Sequence, residues 1–144
     1  LDLANLSGDA QRGRQVFAEA GTCIKCHQVL KQGKRVGPDL SEIGKKLSRL
    51  AMFESILYPS AGISHDYETY VAELADGNIV SGILLNQTDE EIEIVNAEGV
   101  AQRLSRAEVD QLVRQPISLM PADLHKNLSE QDLVNVVEYL MTLK

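Results

Sequence analysis

The sequence is short of cysteine, of long apolar runs and, in its second half, of basic residues. Cys23 and Cys26 are the only cysteines in 144 residues and both fall in one short motif, so neither a disulfide framework nor a four-cysteine metal cluster can be built. No stretch approaches the roughly 20 apolar residues that a membrane-spanning helix needs. The opening, LDLANLSGDAQRG, lacks the basic and apolar regions of an export signal, and it starts at Leu1 rather than Met. A soluble mature form or an excised domain is expected. At this length one domain around one core is the starting expectation.

The net charge of -7 is unevenly spread. Residues 1–50 hold nine Lys/Arg against five Asp/Glu, residues 51–144 five against sixteen, and between Asp66 and Glu98 there are nine acids and no base. Either these charges sit on solvated faces, or the basic part offers itself to an acidic partner, since complementary charge steers encounter. Nucleic acid is not an expected partner.

A first helix is expected from Ser7 or Asp9, either of which can cap, to about Ala20, where Gly21 ends it. Its apolar face holds Ala10, Gly13, Val16, Phe17 and Ala20, and Gly13 there would let another helix cross closely. A turn or two should follow Ser41, and a short helix should run from Ser48 to Leu57, ahead of Pro59. The last helix opens on Ser129 with Asp132 three residues on, and carries the stripe Leu133, Val136, Val137, Leu140 and Leu143 with Tyr139 beside it. From Tyr67 the period changes to two. YETYVAEL, NIVSGILL, EIEIVN and VAQRLS predict four short antiparallel strands, curled or packed against the helices, and RAEVDQLVRQ predicts a short helix after them. The domain organisation expected is one helical domain, residues 1–66 and 107–144, interrupted once by a β insertion, 67–106.

The chemistry is concentrated in GTCIKCHQVLKQGKRVGPDL, Gly21 to Leu40. A Cys-x-x-Cys pair can be a redox dithiol, half of a zinc site, or a covalent haem anchor. A dithiol site sits at a helix start in a βαβ context, but here the motif follows a helix and the strands come some 40 residues later. Zinc would need two of His27, His65 and His125 beside the cysteines, with no finger-like spacing among them. Cys-x-x-Cys-His is the haem c attachment pattern: the Cys23 and Cys26 thiols add across the two vinyl groups, and His27 is placed beneath the iron as proximal ligand. A ligating histidine donates its other N–H to a second group, and the Pro38 carbonyl is the expected acceptor. For the sixth ligand Met120 is favoured, because SLMP lies in a loop between Pro116 and Pro121, whereas Met52 and Met141 fall within helices as core filler. His65 and His125 are the alternatives, though an exposed loop position suits both. Arg49 and Tyr58 are candidate propionate contacts.

In these motifs the chain resembles class I cytochromes c. The shared features are Gly13 and Phe17 in the first helix, Cys23 to His27, Gly37 to Leu40, Met120-Pro121, and Val136 with Tyr139 in the last helix. The resemblance implies a mainly α class I cytochrome c fold around one covalent haem, its terminal helices crossing at the glycine and aromatics, with a small four-strand antiparallel insertion. More narrowly, the segment from Tyr70 to Gly99 and ISLMPADLHKNLSEQDLVNVVEYL resemble the haem-binding domain of the planctomycete and verrucomicrobial type, often a C-terminal module of large exported dehydrogenases.

The function this implies is that of a monohaem one-electron carrier, not an enzyme, between a donor such as a dehydrogenase and an acceptor. Met/His ligation implies a positive potential. Haem c is attached outside the cytoplasm, so a periplasmic or otherwise extracytoplasmic location is expected. Two rivals are a sensor or peroxide-consuming enzyme with a labile Met120, and a β module that binds a partner subunit or sugar and is served by the haem.

Overall fold

Each α-helix of nine or more residues begins at a side chain that accepts from its own first turn. Asp9 accepts from the Gln11 and Arg12 amides (2.9 and 3.2 Å) and starts α1, Ala10–Ala18. Ser48 accepts from the Ala51 amide (3.2 Å) ahead of α3, Arg49–Leu57, which follows the single turn α2, Ile43–Lys46. Ser129 accepts from the Asp132 amide (3.0 Å) ahead of α4, Glu130–Met141. Asp132 does not close the capping box from its own side chain but takes the Arg12 guanidinium of α1 through two contacts, 3.2 and 3.3 Å.

The structure, a computed structural model, describes residues 3–144; residues 1 and 2, where the expected helical domain begins, lie outside the described residues. The chain divides into two compact units, one running to Gly62 and resuming over Met120–Lys144, the other Ile63–Leu119. In the helical unit α1 and α4 lie against each other and bury Val16, Phe17, Val134, Val136 and Val137 almost completely. A side chain fully buried in this way stabilises by roughly 1.5–3 kcal/mol. The crossing is close because of Gly13: a Cβ there would land on the Asn135 carbonyl. One turn on, Phe17 and Tyr139 meet edge to face, 5.7 Å between centroids. Asn135 is the one polar residue buried as a whole among the described residues, and its Oδ1 accepts from the Asp9 amide (2.9 Å) and Gln131 Nε2 (3.0 Å), tying the start of α1 to α4.

The same unit carries a two-stranded hairpin, β1 (Gln28–Val29) with β2 (Gln32–Gly33). The sheet unit is one antiparallel sheet: β3 (Thr69–Leu74), β4 (Ile79–Gln87), β5 (Glu91–Val95), β6 (Ala101–Ser105) and β7 (Val109–Gln115), ordered β6-β5-β4-β3-β7. Leu104 from one edge and Leu112 from the other join Ala72, Ile92 and Ile94 in a single apolar cluster, so the sheet curls over its own core. Register shifts at Leu84/Asn86 and Glu73/Leu74 mark where the strands bend.

Two expectations are overturned. The fold is not mainly α and not a mainly α class I cytochrome fold: it is 33% helix and 25% strand, with a five-stranded and a two-stranded sheet. Second, RAEVDQLVRQ is not a helix. Its first residues form a 3₁₀ turn, Arg106–Glu108, and the rest is β7, paired with β3 except at the register shift beside Asp110. The i, i+3, i+4 spacing of Val109, Leu112 and Val113 fits a helix, but the antiparallel ladder with β3, running from the Thr69/Gln115 pair to the Leu74/Val109 pair with one register shift, overrides local preference. The sheet therefore has five strands, not four.

Candidate cofactor site

The motif is one tight turn. The Cys26 and His27 amides both donate to the Cys23 carbonyl (3.1 and 2.8 Å), which brings Cys23, Cys26 and His27 onto a single 3₁₀ loop after α1. The Gly-Pro segment is folded back onto it. The Val36 and Gly37 amides donate to the Cys26 carbonyl (3.0 and 2.7 Å), the Lys34 amide to the Ile24 carbonyl (3.1 Å), and the Leu40 amide to the Gln28 carbonyl (2.8 Å). Beyond the motif, β1 and β2 are joined through Leu30 and Lys31, both at positive φ (49° and 70°), a strained choice for two non-glycine residues.

This return loop determines the state of His27. Its Nδ1 lies 2.8 Å from the Pro38 carbonyl. A carbonyl can only accept, so Nδ1 carries the proton and Nε2 keeps its lone pair. Burial holds the imidazole below its ordinary pKa, with the Pro38 bond opposing, and the ring is neutral at physiological pH. Gly37 underlies the ring, and a Cβ at that position would sit 2.7 Å from His27 Cε1. The sequence signal for this contact was the glycine ahead of Pro38, whose role as a floor for the imidazole sequence reasoning missed.

The thiols are not arranged for dithiol exchange. Burial pushes the Cys23 thiol up to about 11, whereas an attacking cysteine needs a lowered value. Among the described residues no three His, Cys, Asp or Glu side chains converge as a metal site. Cys23 and Met120, far apart in the sequence, are both half-buried and both pack against the apolar core of the helical unit, as Ile24 and Leu40 do. Two thiols on one turn with a neutral imidazole whose far nitrogen keeps its lone pair are chemically suited to a flat, largely apolar, iron-bearing ring.

The other expected residues are placed as follows. Met52 is buried in α3, and Met141 is half-buried against the same core. His65 is exposed beside Asp66 and Glu68 (3.3 and 3.7 Å) in the sheet unit. His125, expected on an exposed loop, is instead half-buried in the 3₁₀ turn Leu124–Asn127, because that turn packs on α3. Arg49 is committed elsewhere: Nε donates to the Ala4 carbonyl (2.9 Å), Nη2 to the Leu6 carbonyl (2.6 Å), and Nη1 pairs with Glu138 (3.3 Å). Tyr58 is 65% exposed at the end of α3.

Among known proteins, the family model of cytochrome c matches residues 10–114, a span that includes the Cys23–His27 motif and stops short of Met120. No curated protein sequence matches the chain.

Proposed function

This chain belongs to the cytochrome c family, and from that premise we propose that Cys23 and Cys26 carry its haem c through thioether bonds and that His27 and Met120 are the axial ligands of the iron. The family binds haem c covalently and acts in haem-based electron transfer with redox partners. When bound, the haem supplies a one-electron Fe(III)/Fe(II) couple.

The observation that carries the ligand assignment is the 2.8 Å bond from His27 Nδ1 to the Pro38 carbonyl. It orients the ring, selects the tautomer with Nε2 available, and raises the basicity of that nitrogen. Gly37 holds the ring from beneath, and the turn through Cys23 and His27 keeps both thiols on the same loop as the ligand. Met120, half-buried against the apolar core, supplies a soft thioether, which favours Fe(II) and gives a positive midpoint potential.

In this reading residues up to Gly62 and from Met120 form the haem-bearing part, and the sheet unit is an insertion in it. That unit has eleven acids and three bases over residues 63–119. Two of its bases are engaged locally, Arg103 with Glu93 (3.0 Å) and Arg106 with the Thr88 carbonyl (3.4 Å). Its surface is thus suited to steer a basic partner protein. The chain acts as an electron carrier rather than an enzyme, it receives its haem in an extracytoplasmic compartment, and its donor is an exported dehydrogenase or a respiratory component. Among the described residues no helix is long and apolar enough to cross a membrane.

The test is optical and electrochemical. Holoprotein made with a haem c maturation system should show a six-coordinate low-spin spectrum with the weak far-red band of a thioether on Fe(III). Met120→Ala should abolish that band and lower the midpoint. A strongly negative midpoint in the wild type, or a band that survives Met120→Ala, refutes the assignment.

A further inference from the structure

Among the described residues two buried side-chain polar atoms lack a hydrogen-bond partner, Thr69 Oγ1 and His125 Nδ1. His125 belongs to the helical unit, in the 3₁₀ turn Leu124–Asn127 that opens four residues after Met120 and packs on α3. The turn closes without the ring: the Lys126 amide donates to the Asp123 carbonyl (3.0 Å) and the Leu128 amide to the His125 carbonyl (3.1 Å). The backbone of the turn is therefore satisfied without the ring, whose Nδ1 is out of water and has no acceptor among the described residues. Native structures pair such a buried nitrogen, with protein, ordered water or a bound group, and the bound group is the partner argued for here.

The group bound by this family is haem c. Apart from its pyrrole nitrogens, it is polar at two kinds of place, the iron and the propionate carboxylates. Under the ligation proposed above the iron is taken by His27 and Met120, so a carboxylate is the partner that remains. The polarities match, because a neutral imidazole donates from Nδ1–H and a carboxylate accepts. The other basic side chain considered for this role, Arg49, already spends its guanidinium on Ala4, Leu6 and Glu138.

We propose that His125 is a haem-binding residue that donates its Nδ1 proton to a propionate carboxylate, an inference that rests on the His27/Met120 reading. A donor there draws negative charge away from the carboxylate and so favours Fe(II). Its loss lowers the midpoint potential.

The experiment uses the ferrous holoprotein and reads the propionate bending band by resonance Raman, with the midpoint alongside. In His125→Leu the band should shift and the midpoint fall. His125→Asn, whose side-chain amide sits near the position of Nδ1, should restore both. A band unmoved in His125→Leu, with haem attached and low-spin, overturns the proposal alone. A His125→Leu protein that loses its low-spin six-coordinate spectrum makes His125 an iron ligand, which overturns both the proposal and the assignment of Met120. Wild-type protein matured without covalent haem overturns the reading beneath both. Should the leucine variant not accumulate, long-range ¹H–¹⁵N correlation on the diamagnetic ferrous wild type decides: the proposal requires a protonated Nδ1 at His125, and a bare Nδ1 overturns it.

Discussion

The crossing of α1 on α4 should fail on the addition of one methyl group. In Gly13→Ala the new Cβ would fall on the Asn135 carbonyl and lie 2.9 Å from Tyr139 Cβ, and the first obstacle is backbone of a helix buried on several sides. Neither helix can yield alone, since Asp9 and Arg12 of the first segment are bonded to Asn135 and Asp132 of the second. Overpacking of this kind costs about 1–3 kcal/mol, and a rigid obstacle puts it at the upper end. If the helices part, the edge-to-face contact of Phe17 and Tyr139 is weakened, a further loss of up to about 1 kcal/mol. Against this, alanine gains about 1 kcal/mol over glycine within a helix. The net expectation is a loss of about 3 kcal/mol, which at a urea m-value of about 1–3 kcal/mol per molar moves the midpoint down by about 1–3 M. The control is Gly62→Ala, where nothing lies within 4 Å of the added carbon, and there stability should hold or rise by about 0.4–1 kcal/mol. Urea unfolding of the holoprotein, followed by far-ultraviolet circular dichroism and by haem absorbance, measures both. A Gly13→Ala protein as stable as the wild type would refute the close-crossing argument.

Gly37→Ala should press on His27 Cε1 (2.7 Å) and Nδ1 (3.0 Å), stretch the bond to Pro38, and weaken the low-spin spectrum while leaving the haem covalently attached; an unchanged spectrum would show that the ring does not rest on this glycine. Because burial lowers the His27 pKa, the unfolded chain takes up a proton there before the native state does, so stability grows with pH in this range. The contribution of His27 should be full above about pH 6.5 and be lost as pH falls below it, so urea midpoints should decline between about pH 7.5 and about pH 5.5, and a flat profile counts against it. Arg49→Met removes two bonds to backbone carbonyls and the pair with Glu138, and should cost about 1–3 kcal/mol in unfolding with no change in midpoint potential. A shifted potential would show that Arg49 reaches the haem after all.

The parts of the site read most directly from the sequence are those in which the deciding contacts lie within a few residues. Five residues bring Cys23, Cys26 and His27 onto one turn, because a single carbonyl takes two successive amides. The Gly-Pro segment ten residues on returns to the same loop within the reach of a short hairpin. His125 was misjudged because nothing in HKN tells a solvent-facing turn from one packed on α3. The partners of Arg49 could not be read locally, because they come from residues 4, 6 and 138, which its own helix does not announce.

By itself, then, the sequence determined the helix starts at Ser48 and Ser129 and narrowed the first to Ser7 or Asp9, and it determined the alternation of β3 to β6 and the turn that groups the motif. Each follows from hydrogen bonds and sterics that a few neighbouring residues satisfy among themselves. Only the tertiary structure decided that Val109–Gln115 is a strand, that Gly13 lies on the Asn135 carbonyl, and that Cys23 and Met120 pack against the same apolar core. In those cases the local alternatives are close in free energy, and the choice falls to whichever surface, β3, α4 or the shared core, removes the most backbone and apolar area from water.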